Sequence, residues 1–141
     1  MRRLPLPERI RRNINVNPTT DCWEWKLACD RHGYGKIRME NGPQLAHRVS
    51  YSTFVGPIPS ALTIDHLCRN RRCVNPKHLE AVTRKENTLR GEGVCAVHAR
   101  QTHCASGHPL SGANLYSWHG SRACKQCRHA ATKSYRVKEA A

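Results

Sequence analysis

The sequence predicts a small α+β fold fastened by bound metal in place of one large apolar core, and three observations lead there. The 141-residue chain is only 38% hydrophobic and 6% aromatic, with a single Phe, too little for one compact core to span it. Eight Cys and nine His are interleaved at short spacings. Short strand-like and helix-like stretches follow one another between turn residues, as in an α+β chain.

Whether the cysteines form disulfides or hold metal depends on the compartment. The N-terminus, MRRLPLPERIRR, is basic and no apolar stretch follows it, so no secretory signal peptide is expected. No segment approaches the length that spans a bilayer, and no membrane partner is expected. An intracellular setting, the cytoplasm or the nucleoid or nucleus of a host, keeps thiols reduced and favours thiolate–zinc sites. Lys+Arg 24 against Asp+Glu 10 gives a formal net charge of +14, which points to a polyanionic partner, DNA above all.

Four segments follow. Residues 1–20, Arg-rich and punctuated by Pro5, Pro7 and Pro18, are expected to be a basic arm with little fixed structure. Residues 21–91 are expected to be the main domain. Within it, Asp21 to Glu40 carries aromatic and β-branched residues broken by Gly33 and Gly35, which suggests two short strands joined by a loop, an N-terminal β-ribbon sized for a DNA groove. Lys26, Lys36 and Arg38 are its candidate DNA contacts, Lys36 and Arg38 alternating onto one face. Leu45, Val49 and Thr53, four apart and followed by Gly56-Pro57, predict a helix over 45–55. Residues 92–103 are expected to be a connector, and 104–141 a second metal module with a basic tail.

The first donor cluster is Cys68, Cys73 and His78, spaced C-x4-C-x4-H in IDHLCRNRRCVNPKHLE. Zinc prefers four donors in a tetrahedron, and Cys22, at the edge of the ribbon, is the expected fourth, with Cys29 its competitor. A closed site of this kind staples a loop and performs no chemistry. The second cluster, Cys104, His108, Cys124 and Cys127, reads C-x3-H-x15-C-x2-C, close to zinc-finger and zinc-ribbon spacing. Cys95, His98 or His103 could replace one of its members.

Between the donors lies a second pattern. Leu62 to Leu67 alternates as a strand that carries Asp65 and His66 either on opposite faces or on a shared edge. Residues 78–82 can return as a second strand. Thr83-Arg84-Lys85-Glu86 is a capping box, so a two-turn helix ending at Gly91 has Asn87 at its fourth position.

The stretch LTIDHLCRNRRCVNPKHLEAVTRKENTLRG, residues 62–91, resembles the ββα-metal core of HNH nucleases, and most nearly their zinc-containing variants such as the His-Cys box homing endonucleases. The resemblance is strong over 62–91 and loose over 21–61. It implies that His66 is the general base and that Asp65 and Asn87 hold one divalent cation, Mg²⁺ by the hardness of their oxygens. Asn75, or else Asn70, would help orient the base. The implied activity is phosphodiester hydrolysis leaving 5′-phosphate and 3′-hydroxyl ends. The resemblance also sets the helix bearing His47 and Arg48 behind the active site, where Arg48 could contact a DNA phosphate and His47 could assist the base. The alternative is a zinc-dependent DNA-binding or regulatory protein without catalysis. A homodimer stays open, since one active site must act twice or pair to break a duplex.

Overall fold

The computed structural model describes residues 4–139. The chain divides into two compact units, Met1–Asn87 and Thr88–Ala141. It is a mixed α+β structure of four two-stranded antiparallel sheets and five α-helices among the described residues. None of these helices is long and apolar enough to cross a membrane.

The first unit opens with α1, Leu6–Arg12, where an unstructured arm was expected. Pro5 is its N-cap and Pro7 sits in the first turn, where a missing N–H costs nothing and a fixed φ favours the helix. Leu6 and Ile10, four apart, face inward, and Ile10 is fully buried. Of the expected arm, residues 1–3 lie outside the described residues. Strand β1, Ile14–Val16, pairs with β2, Trp23–Trp25, in the register Ile14↔Trp25. The expected ribbon between 21 and 40 is therefore corrected. β2 takes its partner from the arm, and β3, Lys36–Met39, pairs with the following β4, Gly42–Leu45, across a Glu40-Asn41 turn. Gly35 is required before β3, because a Cβ there would lie 2.6 Å from the Trp25 ring, which donates Nε1–H to the Lys36 carbonyl at 3.1 Å.

Helix α2, Ala46–Phe54, ends where Gly56 adopts φ +149. It packs Ala46 and Val49 onto Ile10, Trp25, Ile37 and Val74, the small core of the unit. Strand β5, Leu62–His66, pairs with β6, Leu79–Thr83, in the register Leu62↔Thr83 to His66↔Leu79. A 3₁₀ turn, Pro76–His78, leads into β6, and α3, Arg84–Arg90, follows it. The expected cap is present: the Glu86 N–H donates to the Thr83 hydroxyl at 3.1 Å.

In the second unit the expected connector contains α4, Val94–Arg100, whose Ala96 is fully buried. Strands β7, Leu115–Trp118, and β8, Ser121–Cys124, form a hairpin, and α5, Lys125–Glu139, follows directly. The Arg122 guanidinium donates to the carbonyls of His98 and Ala99 at the end of α4 and to that of Leu110, so it points into the unit.

Candidate active site

Cys22, Cys68, Cys73 and His78 converge, with their donor atoms all within 4.8 Å of one another. The backbone explains why Cys22 joins them. Strand β2 is tied to the loop after β5, Trp25 N–H donating to Arg72 O at 3.0 Å and Val74 N–H to Trp23 O at 2.9 Å. That stitching lays Cys22 beside Cys73. His78 Nδ1 stands 3.6 Å from the Cys22 sulfur and 3.5 Å from that of Cys73. Tetrahedral zinc with bonds of about 2.3 Å to S and 2.0 Å to N implies donor–donor edges of roughly 3.5–3.8 Å, so the set fits that ion. Burial pushes the Cys73 thiol up to about 12, an environment costly for a lone thiolate and suited to one neutralised by a cation. Cys29 stands apart, its nearest polar partner being the Leu27 carbonyl.

Cys104, His108, Cys124 and Cys127 form the second cluster. Edges of 3.5 Å for Cys104–His108, 3.7 Å for Cys104–Cys127 and 3.3 Å for His108–Cys127 again suit zinc. Gly107, at φ +77, lets the chain turn so that Cys104 N–H can donate to the His108 carbonyl. The Cys127 N–H, with help from the Asn114 amide, lowers the Cys124 thiol to about 6, so it ionises readily for a metal. Cys95, His98 and His103 lie outside this cluster.

His66 closes β5 and is 6% exposed. Its Nε2 lies 3.1 Å from the Cys73 carbonyl, which can only accept, so Nε2 carries the proton and the lone pair resides on Nδ1. Burial lowers its pKa, while the Cys73 carbonyl and Asp65 act in the opposite direction. The ring lies 4.7 Å from that of His47 and 5.8 Å from that of Tyr34, which is itself 5.3 Å from His47. Tyr34 escaped the sequence reading. It is held by a turn in which the Asp30 carboxylate accepts from the N–H groups of His32 and Tyr34, a pattern legible in Asp30-x-x-Gly33. The Tyr34 N–H, foremost, also holds the Asp30 carboxyl below its usual range.

Asp65, 3% exposed, accepts from the Arg69 guanidinium at 3.1 Å. Pairing persists through His66, so Asp65 and His66 alternate to opposite faces of β5 and have different neighbours. Glu80, directly across from Asp65, shares its face and also escaped the sequence reading. Asn87 sits half-buried at the fourth position of α3. Asn75 is placed otherwise than expected. Its amide donates to the Asp21 carbonyl at 2.6 Å and its oxygen accepts from Lys77 N–H at 3.0 Å, so it braces the loop of the first Cys/His cluster. The contact that orients His66 comes from the Cys73 carbonyl. Asn70, the other candidate, donates to Glu24 at 3.2 Å. Among the candidate DNA contacts, Lys26 and Arg38 are exposed, Lys36 is half-buried, and Arg48 lines an open groove with Leu6, Pro7 and Met39.

A two-stranded hairpin stapled by a Cys/His cluster, a capped helix that follows it in the chain and a buried imidazole at the strand end define a ββα-metal type of site. Residues 44–89 match the family model described as HNH endonuclease. The chain is also similar to three phage proteins. It is 37% identical over 68 residues to "Protein 7.7" of Escherichia phage T7, covering 48% of this chain and 52% of that one. Over 87 residues it is 36% identical to "Protein 2.8" of the same phage, covering 60% and 58%. It is 36% identical over 61 residues to the "Uncharacterized gene 5.3 protein" of Enterobacteria phage T3, covering 43% and 60%. The chain thus spans between half and three-fifths of the length of these relatives. No solved structure matches it significantly.

Proposed function

We propose that the protein is a DNA endonuclease that hydrolyses phosphodiester bonds, with His66 as general base and a Mg²⁺ ion held by Asp65 and Asn87, leaving 5′-phosphate and 3′-hydroxyl ends. The observation that carries this reading is the state of His66. It is buried, favours the neutral form, and is held through Nε2 by the Cys73 carbonyl, inside the segment that matches HNH endonucleases. A neutral imidazole with its lone pair on Nδ1 can take a proton from the attacking water. The cation, when bound, neutralises charge on the phosphate and the leaving oxygen. Asn75 acts on the base only by bracing the loop that carries Cys73. Two zinc ions, one at each Cys/His cluster, hold the fold. Lys26, Lys36, Arg38 and Arg48 supply phosphate contacts, and a homodimer would allow both strands to be cut.

Plasmid cleavage with Mg²⁺ tests the proposal. His66→Ala should lose about 10²–10⁴-fold in rate while binding DNA as the wild type does. A variant that cuts at the wild-type rate would remove His66 from the mechanism. One observation favours a second reading, a DNA-binding protein without catalysis: the Arg69 guanidinium already neutralises Asp65. That reading requires that Mg²⁺ produce no nicked or linear plasmid with the wild-type protein.

A further inference from the structure

The hairpin of the second unit has two unlike faces. Leu115 and Ser117 of β7 share one face with their cross-strand partners Cys124 and Arg122. That face belongs to the metal cluster, and Arg122 is committed to backbone carbonyls. The other face carries Tyr116 and Trp118 opposite the small side chains of Ala123 and Ser121, with Trp118 exposed and Tyr116 half-buried.

Trp118 is 63% exposed, and His119 stands edge-on to it with ring centroids 4.6 Å apart. His119 at φ +45 and Gly120 at φ +78 form the tight turn that holds Trp118 at the hairpin tip. The Arg128 guanidinium from α5 lies 4.2 Å over the Tyr116 ring. The segment that carries these rings is cationic: residues 88–141 contain eight Lys and Arg against two Glu, and Lys125, Arg128 and Lys133 are exposed on α5. The metal function of this unit uses none of this surface.

We infer that the Tyr116–Trp118 face of the β7–β8 hairpin, with Arg128, is a stacking platform for an unpaired base of DNA. A base offers a π-face to Trp118 while its phosphate meets the guanidinium that already lies over Tyr116. The setting selects this occupant. A protein partner's apolar patch would call for aliphatic neighbours, whereas Trp118 is flanked by Ser117, His119, Gly120 and Ser121. The inference deepens the nuclease reading and rests on it for the choice of DNA, since a cut or locally opened duplex presents unpaired bases. It concerns a different unit from His66 and can stand or fall separately.

Intrinsic fluorescence tests it in the full-length protein. Of the three Trp residues, Trp25 is fully buried and Trp23 is partly buried against the core of the first unit. Adding single-stranded oligo-dT should quench emission, and Trp118→Ala should abolish the quench. The same variant should weaken single-strand binding by about tenfold, with Trp118→Phe restoring most of the affinity. Unchanged circular dichroism would show that Trp118→Ala is folded. The platform is overturned if Trp118→Ala binds oligo-dT like wild type, or if anionic lipid vesicles quench Trp118 and oligo-dT does not. A wild-type protein that cuts plasmid but shows no Trp118 quench would lose the platform and keep the nuclease. One that quenches but never cuts would keep the platform and lose the nuclease.

Discussion

His47 occupies an uncomfortable position for a histidine. It is 4% exposed, its Nδ1 is buried without a hydrogen bond, and its ring faces those of His66 and Tyr34. Burial first, then the charges of His66 and Arg48, push its pKa down to about 3 from an ordinary value near 6.5. The folded chain therefore refuses a proton that the unfolded chain accepts below about pH 6.5. Stability contributed by neutral His47 is fully present above that pH and is lost as pH falls towards 3, by on the order of a few kcal/mol. Denaturant unfolding between pH 7.5 and 4.5 should show this decline in wild type and a shallower one in His47→Phe. Loss of zinc in acid acts on both proteins and does not distinguish them. Equal slopes would mean that His47 is not held neutral by the fold.

At the scale of elements, what was legible in the sequence depended on whether the deciding signal was local. Helix α2, strands β5 and β6 and helix α3 each carry their own signals, such as the Gly56-Pro57 stop and the Thr83 cap, and they form close to where those signals lie. Helix α1 was obscured because Pro5 and Pro7, read as breakers, stand in the turn that tolerates proline. The ribbon was mispaired for a different reason. A strand's hydrogen-bonding partner is not written in the strand, and β2 found its own in β1, upstream, while β3 took the adjacent β4. The regrouping keeps Lys36 and Arg38 on one face, since Ile37 between them is buried. Replacing both with Ala should weaken duplex binding and reduce the slope of log K against log salt by up to about 2, one for each phosphate that is no longer neutralised. A slope equal to that of wild type would place the DNA on another surface.

For the molecule as a whole, both donor sets were legible because zinc demands particular atoms at short spacings. The Tyr34–His47–His66 contact was not, because it joins three segments that only the folded core brings together. The two clusters lie in separate units, so their loss should have separate consequences. Cys73 supplies a sulfur to the first cluster, and its carbonyl orients His66. The core around it is small, six buried residues with Trp25 the largest, and cannot replace what a metal contributes. A structural zinc is worth on the order of 10 kcal/mol to a small domain, comparable with the roughly 5–15 kcal/mol net stability of an ordinary one. Cys73→Ser should therefore unfold or aggregate the first unit and abolish cleavage. Cys124 belongs to the second unit, which has its own hairpin and helices, so Cys124→Ser should leave residues 21–91 folded with some cleavage and weaker DNA binding. Zinc stoichiometry should fall from about two per chain to about one in Cys124→Ser, given one ion per tetrahedral cluster. If Cys73→Ser retained two zinc ions and full activity, the first cluster would not be the staple that positions His66.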